Sequence, residues 1–169
     1  MNKIQRIATT LFILVLSLVL IAAHFYQFMK REEPCPLCLL QRLAMIGIAI
    51  ALLMNLRIGI RVEYYGLAIL SSLFGAMASL RQIALHACPG STTFGEPLLG
   101  YHLYVWTLLV FLCSLFACAV LLILYGYSKH REYNPAWHFS EKCAFSLLVL
   151  IISANVVTTF LQCGLTPCN

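Results

Sequence analysis

The sequence predicts an all-α integral membrane protein, folded as a bundle of transmembrane helices. Of its 169 residues, 62% are hydrophobic and only 10% are charged, whereas a water-soluble domain carries about a quarter charged residues. Five apolar stretches are long enough to cross a hydrocarbon core of roughly 30 Å as helices. The basic residues are dispersed and form no patch with aromatic residues, so the composition argues against a nucleic-acid partner and for the lipid bilayer.

The apolar stretches predict where the helices lie. Residues 7–29 contain no Asp, Glu, Lys or Arg, so we expect a retained membrane anchor and not a cleaved signal peptide, whose apolar part is shorter. The other spans are predicted at about 39–56, 62–85, 100–125 and 143–162. No internal repeat or long linker separates them, so residues 1–169 are interpreted as a single membrane domain.

The positions of Lys and Arg predict the orientation of the helices. With the amino terminus in the cytoplasm, the inner segments hold seven of the 11 basic residues and the outer segments hold four. Because positive charge is enriched on the cytoplasmic side, this orientation is favoured. Five spans then carry the carboxyl terminus to the outside. Disulfides persist in that compartment, and it receives Cys35, Cys38, Cys88, Cys163 and Cys168.

The segment "EEPCPLCLLQR", residues 32–42, has the pattern of a redox-active thiol pair. Pro36 suits the first position of a helix, which makes Cys35 the N-cap and places Cys38 in the first turn. The amides and dipole of a helix start favour the thiolate, which is the nucleophilic form of cysteine. Arg42 lies four residues after Cys38 on the same helix face. It is expected to stabilise a thiolate or to hold an anionic or carbonyl-bearing ligand.

A second cysteine pair, Cys163 and Cys168, lies in the final segment "LQCGLTPCN". Gly164 and Pro167 favour a turn that brings the two sulfurs within disulfide distance. Thiol–disulfide exchange would then pass oxidation between this pair and the CxxC pair. Two alternatives stay open: static structural disulfides, or zinc ligands in a non-enzymatic metal-binding or scaffold membrane protein.

The motif "PCPLCLLQR" after a first span, the small size, the helix count and the segment "RQIALHACPG" together resemble the DsbB family of membrane thiol oxidases. The resemblance implies a quinone-dependent protein-disulfide oxidoreductase in the bacterial inner membrane, with its redox cysteines in the periplasm. Such an enzyme reoxidises a DsbA-like thioredoxin-fold protein and passes the electrons to ubiquinone or menaquinone. The implied fold is a four-helix core, to which this chain adds a fifth, C-terminal helix.

The resemblance also implies roles for individual residues. Carried over by position, Cys38 would be the thiolate that faces the quinone, and Cys35 would exchange with the second cysteine pair. Arg42 and His86 would contact the quinone.

The chain departs from the best-known DsbB members in the position of the second cysteine pair. In those members the pair lies between the third and fourth helices, where this chain has only Cys88. The predicted catalytic cysteines are therefore the CxxC pair together with Cys163 and Cys168. A thiol protein of the vitamin K epoxide reductase type is disfavoured, because its CxxC lies late in the chain, whereas this one follows the first span.

Overall fold

The computed structural model describes residues 3–30, 35–86, 100–127 and 138–163. Within these ranges the secondary structure consists of helices: α1 (Lys3–Lys30), α2 (Pro36–Ile58), α3 (Val62–His86), α4 (Leu103–Tyr127) and α5 (Phe139–Cys163). Each of the five contains a segment long and apolar enough to cross a membrane. The predicted all-α transmembrane bundle is confirmed.

The helix ends differ from the predicted spans for local reasons. Helices α1 and α5 begin at Lys3 and Phe139, about four residues before their apolar runs, because polar residues can continue a helix beyond the hydrocarbon. The predicted start of the fourth helix at Gly100 is wrong. Gly100 has a φ of 84°, a left-handed conformation that an α-helix cannot contain, so α4 begins at Leu103.

Helix α2 is the central element of the bundle. In the described ranges it contacts all four other helices, whereas α3 contacts only α2 and α4. Side chains of α2 that are completely buried include Ile48, Ala49 and Leu52. The outward faces of the helices carry large exposed apolar side chains, as expected of a protein whose solvent is lipid.

A stripe of small residues lets α3 pack closely against its neighbours. The buried members of this stripe are Ala68, Ser72, Gly75, Ala76 and Ser79. A Cβ atom built at Gly75 would lie 2.2 Å from the ring of Phe111, which is fully buried in α4. Close packing of this kind replaces the hydrophobic effect as the force that associates helices in lipid.

Helices α1 and α5 run parallel to each other. Arg6, near the start of α1, donates through both Nε and Nη2 to the carboxylate of Glu141 in the first turn of α5, with Nη2 at 2.8 Å from Oε2. His24, near the other end of α1, lies beside Asn155 of α5. The carboxyl ends of α1 and α5 therefore lie at the same end of the bundle. Because Cys35 begins α2 there, we call it the Cys35 end.

The packing of Gly75 predicts an asymmetry between two glycines of α3. We expect Gly75→Ala to destabilise the protein by about 1–3 kcal/mol, because the added methyl group overpacks the contact with Phe111. Gly66→Ala on the same helix meets open space and should be neutral or stabilising by up to about 1 kcal/mol, because alanine favours the helix. Thermal unfolding of both variants in detergent micelles measures the difference. Equal changes in both would contradict the packing explanation.

Candidate functional site

The start of α2 holds Cys35 and Cys38 as the sequence predicts. Cys35 is the N-cap, with φ −63° and ψ 132°, and Pro36 follows it in the first helical turn. The carbonyl oxygen of Cys35 accepts the amide hydrogens of Cys38 at 2.9 Å and Leu39 at 3.2 Å. Both thiols are unbridged and half-buried. The two thiols therefore lie at the positive end of a helix dipole.

The surroundings of Cys35 favour its thiolate. The side chain of Cys38 donates to the Cys35 sulfur, the backbone amides of Cys38 and Leu37 favour its negative charge, and His86 lies near enough to interact electrostatically. These contacts outweigh partial burial and lower the pKa of Cys35 to about 5. The sequence predicted the thiolate at Cys38. In the dithiol form the lowered pKa instead belongs to Cys35, chiefly because its sulfur accepts a hydrogen bond from the Cys38 side chain at the helix start.

Two glutamines that the sequence analysis missed lie beside the thiol pair. Gln82 of α3 donates through Nε2 to the Sγ of Cys38 at 3.5 Å and of Cys35 at 3.9 Å. Its Oε1 accepts a hydrogen bond of 2.9 Å from Nε2 of Gln41 in α2. A signal was present in the sequence, because Gln41 adjoins Arg42 and both amides interrupt apolar helices, where buried polar groups are costly and commonly functional.

Arg42 occupies the position that the sequence predicts for it. Its side chain is buried, and its Nη2 donates to the carbonyl oxygen of Ala23 in α1 at 3.3 Å. The guanidinium is close enough to Cys38 for their charges to interact, and the same holds for His24 of α1. A positive charge is thus held inside the bundle one helical turn beyond the second thiol, where it can attract an anionic or carbonyl-bearing ligand.

His86 belongs to a stack of three rings at the Cys35 end. Its Nδ1 lies 2.7 Å from the carbonyl oxygen of Gln82, and its ring stacks on Tyr104 of α4 with centroids 5.4 Å apart. Tyr104 stacks in turn on His102 at 5.2 Å. The stack therefore holds His86, which is near enough to Cys35 for the two to interact electrostatically.

The second cysteine pair is not part of the described site. Cys163 ends α5. Cys168 and Cys88 lie outside the described residues. In the ranges that the structure describes, no three His, Cys, Asp or Glu residues form a group that could hold a metal ion. The zinc hypothesis needs both cysteine pairs, so it stays an untested alternative.

The low pKa of Cys35 predicts the pH dependence of its reactivity. Alkylation of the reduced protein by iodoacetamide at Cys35 should be nearly constant above about pH 6 and should fall as the pH drops through about 5, because only the thiolate reacts. Mass spectrometry assigns the reaction to this residue. Cys38→Ser keeps a hydroxyl donor and should keep the low midpoint. Cys38→Ala removes the donor and should raise the midpoint by about one to two pH units.

The same pKa gives the sign of the effect on stability. Because the folded pKa of Cys35 lies below the ordinary value of 9.0, the thiolate stabilises the folded reduced protein fully only above about pH 9. This stabilisation declines as the pH falls and is lost below about 5.

In the alkylation experiment, the same midpoint in the wild type, Cys38→Ser and Cys38→Ala would contradict the role of the Cys38 donor.

The family model and the curated relatives that match this chain carry the same description. The family model described as "Disulfide bond formation protein DsbB" matches residues 5–95, which is more than half of the chain. The disulfide bond formation protein B of Chromobacterium violaceum is 44% identical over 72 residues, covering 40% of this chain and 43% of the relative. The one of Cupriavidus metallidurans is 36% identical over 90 residues, or 52% and 56% of the two chains.

These matches have a limited extent. The chain spans about half the length of the curated relatives it matches. No solved structure matches the chain significantly. The family match nevertheless includes α2 with its thiol pair and α3 with Gln82 and His86. The chain is a multi-pass membrane protein that belongs to the DsbB family.

Proposed function

We propose that the chain is a quinone-dependent protein-disulfide oxidoreductase of the bacterial inner membrane. It generates disulfide bonds on the periplasmic side. Its protein substrate is the reduced form of a DsbA-like thioredoxin-fold oxidase. The observation that carries the proposal is the CxxC pair at a helix start, where contacts lower the pKa of Cys35 to about 5. The relatives named as disulfide bond formation proteins support the same chemistry.

In the proposed reaction the two cysteine pairs act in series. The partner's dithiol reduces a Cys163–Cys168 disulfide and leaves as a disulfide itself. The resulting dithiol then reduces a Cys35–Cys38 disulfide through a mixed disulfide, so each step breaks one S–S bond and forms another. While Cys35 is part of the mixed disulfide, its sulfur is neutral. The thiolate of the pair is then that of Cys38.

The parallel arrangement of α1 and α5 supports this order of events. The salt bridge between Arg6 and Glu141 joins the starts of the two helices, and α5 ends with Cys163 at the Cys35 end of the bundle. With the amino terminus in the cytoplasm, that end faces the periplasm, where the partner would be oxidised.

The final step re-forms the Cys35–Cys38 disulfide and releases two electrons and two protons. Ubiquinone or menaquinone, a lipid-soluble two-electron oxidant, would accept the electrons and the protons. The residues present fit such a group: among the described residues the Arg42 guanidinium donates one hydrogen bond, to Ala23, and a guanidinium has five N–H donors. Arg42 would bind a carbonyl oxygen next to Cys38, and His86 would bind near Cys35.

Loss of Cys38 should abolish quinone reduction. Purified protein given a reduced thioredoxin-fold partner and a soluble quinone analogue is expected to reduce the quinone, followed by its absorbance. Cys38→Ser should lower the rate to the uncatalysed level, because the dithiol can no longer close to a disulfide. Cys143→Ser, at an exposed cysteine of α5, is the matched control and should retain full activity.

Arg42→Ala should raise the apparent KM for the quinone by about tenfold, because one charged hydrogen bond is lost. The variant should retain thiol exchange.

Quinone reduction by Cys38→Ser at the wild-type rate would overturn the mechanism. Stoichiometric zinc in the purified protein without thiol turnover would favour the metal-binding alternative.

The Cys163–Cys168 pair should be required for quinone reduction driven by the protein substrate, and dispensable when a small reductant drives it. We expect the double variant Cys163→Ser, Cys168→Ser to lose quinone reduction driven by the thioredoxin-fold partner. The same variant should retain quinone reduction driven by dithiothreitol, which can reach Cys35–Cys38 directly. Equal activity of the variant with both reductants would show that the partner bypasses the tail, and the serial order would then be wrong.

A further inference from the structure

A line of buried polar side chains joins the thiol pair to α4. Gln82 and Gln41 are each only 2% exposed. Gln41 donates to Oε1 of Gln82 at 2.9 Å, and Oε1 of Gln41 lies 3.3 Å from the hydroxyl of Thr107 in α4. An amide inside a membrane bundle is costly unless it is paired. Residues from three helices are therefore arranged to pair these two amides, and the line ends at the sulfurs of Cys35 and Cys38.

The pairing couples the orientations of the two amides, because one cannot reverse without the other. If the Gln82 amide were reversed, its NH2 group would face the NH2 group of Gln41 across 2.9 Å, a contact between two donors. In the structure the oxygen of Gln82 accepts from Gln41, and its NH2 nitrogen is the atom nearer the sulfurs: Nε2 lies 3.5 Å from the Sγ of Cys38, whereas Oε1 lies 4.0 Å from it. Thr107 holds Gln41 less firmly, because its single hydrogen also has the Tyr104 carbonyl as an acceptor at 2.8 Å.

The orientation of Gln82 matters because a sulfur gains negative charge only in the reduced state. The Nε2 atom carries two hydrogens and lies 3.5 Å from one sulfur and 3.9 Å from the other. A donor at this place stabilises a thiolate on Cys35 or on Cys38, whereas a neutral disulfide gains little from it. The same amide can therefore remain in place while the charge moves from one cysteine to the other.

We propose that Gln82 is a catalytic residue that stabilises the thiolate on either cysteine of the Cys35–Cys38 pair, and that Gln41 is a positioning residue that fixes the Gln82 amide. The inference deepens the proposed oxidoreductase function and rests on it for the use of the thiolate. The stabilisation itself is a property of the pair alone. It can be measured with neither the protein partner nor a quinone present.

The test is the redox equilibrium of the full-length protein with glutathione in detergent micelles at pH 7. Trapped samples analysed by mass spectrometry give the fraction of Cys35–Cys38 disulfide. Gln82→Leu should shift the equilibrium constant about three- to twentyfold toward the disulfide, the range expected for one interhelical hydrogen bond. Gln82→Met, which keeps the length of the side chain, should shift it in the same direction and covers the case in which the leucine variant does not fold.

A double-mutant cycle separates positioning from packing. Gln41→Leu should shift the equilibrium in the same direction by a smaller factor, because the Gln82 amide is then free to turn. In the Gln82→Leu background, the added Gln41 change should have no further effect. Ser114→Ala removes another buried hydroxyl, one that donates to Val110 within α4, and is the control that should leave the equilibrium unchanged.

Three outcomes overturn the inference. If folded Gln82→Leu and Gln82→Met both stay within twofold of the wild type, Gln82 does not stabilise the thiolate. If the Gln41 effect persists in the Gln82→Leu background, Gln41 does not act through Gln82. If Ser114→Ala shifts the equilibrium as far as Gln82→Leu does, the effect is general loosening of the bundle. If the variants shift as expected but the wild type never reduces quinone, the proposed function is overturned and the role of Gln82 is retained.

Discussion

The stabilisation of a negative charge on sulfur at the edge of a bilayer is the constraint on which the rest of the structure depends. Pro36 starts α2 directly after Cys35, so the Cys35 sulfur lies at the positive end of the helix dipole and accepts a hydrogen bond from the Cys38 side chain. Such a charge is costly in an apolar medium unless donors and cations surround it. The Gln82 amide, His86 and Arg42 lie around the pair from separate positions on α2 and α3, so the helix start does not carry the charge alone.

Close packing of α2 against α3 puts Gln82 within reach of the sulfurs. Ser71 of α3 donates to the carbonyl oxygen of Ala44 in α2 at 2.9 Å, and a Cβ atom at Gly47 would lie 2.4 Å from the Ser71 hydroxyl. One helical turn beyond Ser71, Gly75 of α3 admits the ring of Phe111 from α4. Small residues thus set the spacing of three helices in lipid, where close contact is the main source of association. The geometry of the thiol site depends on that spacing.

Helix α5 lies outside the part of the chain that the family model matches, residues 5–95. It is held by a partly buried salt bridge between Glu141 and Arg6 and by packing along α1. A salt bridge between helix starts is effective here because each charge would be costly to bury alone. The parallel direction of α1 and α5 brings the last turn of α5 to the Cys35 end.

The sequence by itself determined the features that depend on near neighbours in the chain. Apolar runs give the five helices, Pro36 makes Cys35 an N-cap, and the spacing of four residues places Arg42 one turn beyond Cys38. Only the tertiary structure decided which sulfur carries the first charge and that Gln82 and Gln41 contact each other. These two are 41 residues apart, and Gln41 and Thr107 are 66 apart. The physical reason is that contacts between helices depend on how each helix is rotated and how closely it packs, and periodicity along one segment does not contain that information.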